Sequence, residues 1–160
     1  MTPEMAARTA ETARVLASIP GGAEVLEWFR GSPSFHDAEL LRLDLNRRGA
    51  SLCVSVPGRR LSGLAPHDAV ITFVFKNEMI DVSIEGFSHQ NVMGDMWLRL
   101  ANPSPVDSSL VGVGLGQGDI EFEIEPCFGA FGTIRATVDK ITITPVYDHQ
   151  KADDPSSMTE

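Results

Sequence analysis

The spacing of apolar residues changes character near position 35. Before it, apolar side chains recur every three or four residues; after it, they alternate with polar ones. The first 30 residues therefore predict helix. Thr2-Pro3-Glu4 supplies a hydroxyl cap, a proline in the first turn and an acid at the positive helix end. Met5, Thr12, Val15, Leu16 and Ile19 form the inward stripe, and Pro20-Gly21-Gly22 ends the helix. A second, short helix buries Val25, Leu26, Trp28 and Phe29 and stops at Gly31, before Pro33.

From Phe35 the period is two. Leu41, Leu43 and Leu45 alternate with Arg42, Asp44 and Asn46; after Arg47-Arg48-Gly49, Leu52, Val54 and Val56 alternate with Ser51, Cys53 and Ser55. Two such runs around a short glycine-containing link predict a hairpin. AVITFVFK, apolar on both faces, predicts a central strand, and Ile80, Val82 and Ile84 mark another. A strand with Met96, Leu98 and Leu100 on one face follows GFSHQN. NPSPVDSS predicts a loop, LVGVGLGQG a short strand with a turn, and Ile120, Phe122 and Ile124 a further strand. In the last run, Ile134, Ala136 and Val138 are even and Ile141 and Ile143 odd. One regular strand cannot bury both sets, so a bulge or break is expected near Asp139-Lys140.

Helices first, then about eight strands on mostly short links, give an α+β chain that is mostly β. The expected architecture is a curved antiparallel sheet, as a sandwich or partial barrel, with the N-terminal helices packed on it. The length of 160 residues fits one domain, taken as residues 1–147, with a polar and disordered tail over 148–160.

Composition narrows the function classes. Net charge is −9, which argues against a nucleic-acid binder and suits a basic protein partner. No apolar run reaches membrane-spanning length, and the N-terminus lacks a secretory pattern. The distant cysteines Cys53 and Cys127 have no metal-binding spacing and read as reduced thiols of a cytoplasmic protein.

PSFHDAE at 33–39 is the densest candidate for chemistry. If it starts a strand, Asp37 and Glu39 share the face of Leu41 while His36 and Ala38 point the other way. His36 and Asp37 are then poorly placed to hold one ion, whereas Asp37 and Glu39 form a possible carboxylate pair. GFSHQN adds His89 and Asn91, and strand pairing between the two stretches would bring His89 to Asp37 or Glu39. A metal-dependent hydrolase would use His36, Asp37, His89 and Glu39; the preferred reading is a buried polar network at a helix-to-strand corner. HExxH, nucleophile-elbow and P-loop patterns are missing, so no enzyme, metal or cofactor is expected, and GVGLGQG has no following helix to bind phosphate. A third reading is a β-barrel ligand carrier whose pocket is lined by Phe73, Phe75, Trp97 and Phe122.

DIEFEIE is the most suggestive surface feature. Asp119, Glu121, Glu123 and Glu125 share one strand face, expected to be solvated, with neighbours about 7 Å apart. Such a row is either a stripe for a basic partner or a face guarding against edge aggregation.

WFRGSPSFHDAELLRLDL, together with GFSHQNV further on, resembles the immunity protein 50 family, small and mostly β bacterial proteins assigned to polymorphic toxin systems. The resemblance covers roughly Gly22 to Val146, which leaves residues 1–21 as an N-terminal helical extension of a 22–147 core. It implies a protein that neutralises a cognate toxin by binding it, without membrane or nucleic-acid partners of its own. A basic nuclease toxin would suit the acidic stripe. It also implies a fold-serving role for Pro33, Phe35, His36, Asp37, Glu39, Phe87, His89 and Asn91, leaving the stripe as the candidate partner surface.

Overall fold

The computed structural model describes residues 2–58, 67–101 and 119–146. Two helices, α1 (Pro3–Ala17) and α2 (Gly22–Phe29), precede eight strands: β1 (Glu39–Asn46), β2 (Gly49–Val56), β3 (Asp68–Phe75), β4 (Asp81–Glu85), β5 (Val92–Leu100), β6 (Ile120–Phe128), β7 (Phe131–Ala136) and β8 (Val138–Val146). The class expected from the sequence, α+β and mostly β, is the one observed. The expected loop and strand over 102–118 and the tail over 148–160 lie outside the described residues.

All neighbouring strands are antiparallel, in the order β4-β7-β6-β5-β1-β2-β3-β8. The sheet curls without closing into a barrel, and its halves, β4-β7-β6-β5 and β1-β2-β3-β8, face each other across one core. Phe122 of β6 meets Phe73 of β3 edge-on at 5.1 Å and Phe75 at 5.8 Å between ring centroids. Such pairs add about 0.5–1.5 kcal/mol to the gain from burial.

Among the described residues the halves join at two places. At the first, β1 and β5 share a single register pair, Glu39 with Val92, flanked by bonds from Leu40 N to Asn91 O and from Met93 N to Ala38 O. At the second, the chain passes from β7 into β8 through Thr137, whose carbonyl accepts from Lys76 N. The parity change expected in this last run is there. Val74 pairs with Lys140 and Phe75 with Val138, so Asp139 is the extra residue that lets Val138 and Ile141 both turn inward. The run is also divided at Thr137, which parity alone does not reveal.

Beyond the narrow seam, no strand of the described residues lies on the second edge of β5, and α1 takes that place. The Thr12 hydroxyl, on a residue 2% exposed, accepts from Leu98 N at 3.2 Å and donates to Leu98 O at 3.5 Å. The free edge of β8 is met in turn by the helix-to-helix corner, where Ile141 N donates to Pro20 O. Gly21 has φ +90° and lies directly on the Ile141 carbonyl, so no side chain fits there.

The Thr2 cap forms as expected, with its hydroxyl accepting from Met5 N. Val15 and Leu16 of α1, and Ile19 just after it, enter the common core. Met5, expected in the inward stripe, is exposed. Leu41 corrects another expectation. A bulge between Leu40 and Arg42 turns Leu40 inward and leaves Leu41 exposed; past it, Leu43 packs on the core, and Leu45 is exposed at the strand end.

Candidate functional site

PSFHDAE is a turn and not the start of a strand. Ala38 N donates to Phe35 O, Asp37 takes a left-handed φ of +64°, and β1 begins only at Glu39. Phe35, 1% exposed, anchors the turn in the core beside the buried Pro33, and Asp37 N donates to Met93 O. Face alternation does not apply inside a turn, so His36 and Asp37 sit on the same side. His36 Nε2 lies 3.6 Å from Asp37 Oδ2, and both side chains are 65% exposed. The expected burial of this polar network is thus overturned. His36 Nδ1–H donates to Gly94 O at 2.7 Å, a carbonyl freed by a bulge at Gly94 between Met93 and Asp95. The expected pair of Asp37 with Glu39 does not form, because Glu39 is already in the strand, opposite Ser55.

The GFSHQN stretch is tied down by Asn91. Its Oδ1 accepts from Ser88 N and Ala130 N, both at 3.0 Å, and its Nδ2 donates to Ser88 O. The loop is thereby fastened to the β6–β7 turn, where Gly129 (φ +91°) passes so close that a Cβ would lie 2.6 Å from Asn91 Oδ1. His89 is exposed, 3.3 Å from the Ser88 hydroxyl and edge-on to Phe128, and Phe87 is exposed as well. Among the described residues no three His, Cys, Asp or Glu side chains are arranged to hold a metal, so His36, Asp37 and His89 do not converge as the hydrolase reading requires. Phe73, Phe75 and Phe122 pack on one another in the core, while Trp97 lies on the opposite face of its strand from buried Met96 and Leu98.

The acidic stripe differs from the solvated row expected. Asp119 is 3% exposed and accepts from the Thr137 hydroxyl at 2.7 Å, and its carbonyl accepts from Ala101 N. Its role is structural. Glu121, Glu123 and Glu125 do share the outer face of β6, each opposite a residue of β5: Arg99, Trp97 and Asp95 respectively. Arg99 forms an ion pair with Glu121. Trp97 Nε1–H donates to Glu125 Oε1 at 2.6 Å. Arg8 of α1 reaches the same face, 3.4 Å from Glu125 and 3.8 Å from Glu123, with its guanidinium carbon 5.7 Å from the Trp97 ring centre. The like charges are therefore interleaved with cations and an aromatic ring.

Asp95 and Glu125 are a like-charge pair directly across the strands. Burial, with a contribution from Glu125, holds the Asp95 carboxyl above the usual carboxylate range, against the pull of the Met96 N–H bond and of nearby His36. Beyond Glu121 an open hollow of about 430 Å³ is bordered by Glu11, Arg99, Leu100, Ala101, Glu121 and Arg135. Arg135, paired in register with Glu121 and Asp81, keeps its Nε buried without a hydrogen bond.

The sequence did carry a sign of Trp97, an aromatic residue at an outward position between two inward ones; nothing marks Arg8, which arrives from another element. Both cysteines are unpaired thiols, Cys53 half-buried against the Thr72 hydroxyl and Cys127 exposed. No helix of the described residues is long and apolar enough to cross a membrane. No family model matches the chain, and no curated protein or solved structure matches it.

Proposed function

We propose that this chain is an immunity protein that binds a cognate bacterial toxin stoichiometrically in the cytoplasm and blocks it by occupying its surface, without chemistry of its own. The observation that carries the proposal is the joining of the two stretches on which the family resemblance rests. PSFHDAE and GFSHQNV are far apart in the chain, yet Leu40 N to Asn91 O, Met93 N to Ala38 O and Asp37 N to Met93 O knit them into one unit. A shared feature of this kind serves the scaffold, and the surfaces beside it are free to fit a partner.

The outer face of β5 and β6 is the docking surface that suits a basic partner best. Glu121, Glu123 and Glu125 flank Trp97: an aromatic ring is favoured at an interface centre, and carboxylates on the polar rim around it suit a cationic partner. The net charge of −9 would accelerate encounter with a cationic toxin such as a nuclease.

The test is genetic and then physical. The product of the neighbouring upstream reading frame should arrest growth when expressed alone, and co-expression of this chain should restore it. The two purified proteins should then form a complex of fixed stoichiometry. A harmless neighbour, or toxicity that this chain leaves untouched, would sink the proposal.

A further inference from the structure

We infer that the first two turns of α1 form a hinged strap, latched to the sheet by Arg8 and swinging about Thr12. The helix changes character along its length. Residues 2–7 are all exposed, including Met5 at 43%. The Thr9 hydroxyl bonds only within its own helix, to Met5 O. Among the described residues, the ion pairs and hydrogen bonds of these two turns with the sheet come from the Arg8 side chain, at Glu125 and Glu123, with its guanidinium beside the Trp97 ring. From Thr12 onward the attachment is of another kind: a buried hydroxyl gripping the Leu98 backbone, then Val15, Leu16 and Ile19 in the core.

The latch is weak by construction. Arg8 is 36% exposed, and its partners Glu123 and Glu125 are 36% and 41% exposed, so water and salt screen both pairs. Glu4, one turn earlier, competes for the same guanidinium at 3.7 Å and gives it a place to go when it leaves the sheet. Two helical turns on their own are marginal in water, so this stretch depends on its attachment to the sheet. Opening at Arg8 therefore costs little, while opening beyond Thr12 exposes buried backbone and core. The open form uncovers Trp97 and releases Glu123 and Glu125. That these groups matter to a partner rests on the docking proposal above; the strap itself does not.

The test uses the full chain without any toxin, so its outcome is independent of that proposal. Amide hydrogen exchange is compared between wild type and Arg8→Ala. Amides of residues 7–10 should exchange at least about fivefold faster in the variant, while those of residues 13–17 keep their protection. The Trp97 indole N–H resonance should shift, identified by its loss in Trp97→Phe. Raising salt to about 0.5 M should reproduce part of the effect in wild type and add nothing in Arg8→Ala. Unchanged exchange at residues 7–10, in the variant and in salt alike, overturns the latch. Equal acceleration through residues 13–17 overturns the hinge at Thr12. The salt titration needs no substitution, so it decides the matter even if the variant folds poorly.

Discussion

Replacing Thr12 with valine isolates a single backbone requirement. The two side chains have nearly the same shape and similar helix propensity, so neither packing nor α1 itself is disturbed. The change removes the hydroxyl that serves both Leu98 N and Leu98 O on an edge with no strand beside it. A buried donor left without a partner costs about 1–3 kcal/mol. The carbonyl bond, at 3.5 Å, is the weaker of the two and adds less. The extra apolar group of valine returns up to about 0.8 kcal/mol. The net expectation is a loss of about 1–2 kcal/mol, or a melting temperature lower by roughly 2–8 °C for a domain of this size. Thr12→Ser is the control, since it keeps the hydroxyl and loses a methyl group worth about 0.8 kcal/mol. Urea unfolding followed by circular dichroism should rank the proteins wild type, then serine, then valine, with an unchanged denaturant slope. Valine equal to wild type, or above serine, would show that Leu98 finds another partner and that α1 is not the substitute for a missing strand.

Three further expectations test other parts of the structure. Asp95→Asn should raise stability at neutral pH: the folded chain holds this carboxyl above its ordinary 3.8, so its charge costs stability at high pH and that cost fades as the acid protonates. Unfolding midpoints measured at pH 7 and near the ordinary carboxylate range of about 4 should converge for the two proteins, and a gap that widens on acidification contradicts the assignment. Gly129→Ala should cost more than about 1 kcal/mol, because φ is +91° and the new methyl meets Asn91 Oδ1; thermal unfolding checks it, and an unchanged midpoint refutes the tight packing of the β6–β7 turn on the Asn91 loop. Glu121→Lys with Glu123→Lys should slow association with the toxin partner proposed above and flatten its dependence on ionic strength, since surface charges act mainly on encounter; equal rates at low salt move the docking surface elsewhere.

The fold was legible wherever one residue type repeats at a fixed period. Leu52, Val54 and Val56 of β2 and Ile71, Phe73 and Phe75 of β3 are buried at alternate positions, and the conflict of parity between Val138 and Ile141 announced the bulge at Asp139. Reading failed where the backbone leaves its regular path. Leu41 is spelled like an inward residue and is turned out by a bulge; His36 and Asp37 are spelled like opposite faces and meet because Asp37 is left-handed. The candidate site was half legible for a related reason. Alternation places Glu121, Glu123 and Glu125 outward, but their neutralising partners come from β5 and α1, at distances in sequence that no local pattern records. Asp119 breaks the series because it lies just before the strand, bonded to Thr137, and a period has no force outside its element.

The passage through Thr137 also dictates when this protein can fold. One stretch, Phe131 to Val146, gives β7 to one half of the sheet and β8 to the other. Among the described residues, β4 has β7 as its only strand neighbour, and β3 and β6 each lack a second neighbour until this stretch arrives. During synthesis neither half can finish before this stretch has emerged. Pairings between strands so far apart in sequence close slowly, on the order of milliseconds to seconds. Until then two strand edges lie open to neighbouring chains. Completion of both halves thus hangs on one stretch, and a nascent chain stalled before Phe131 would leave each half a strand short.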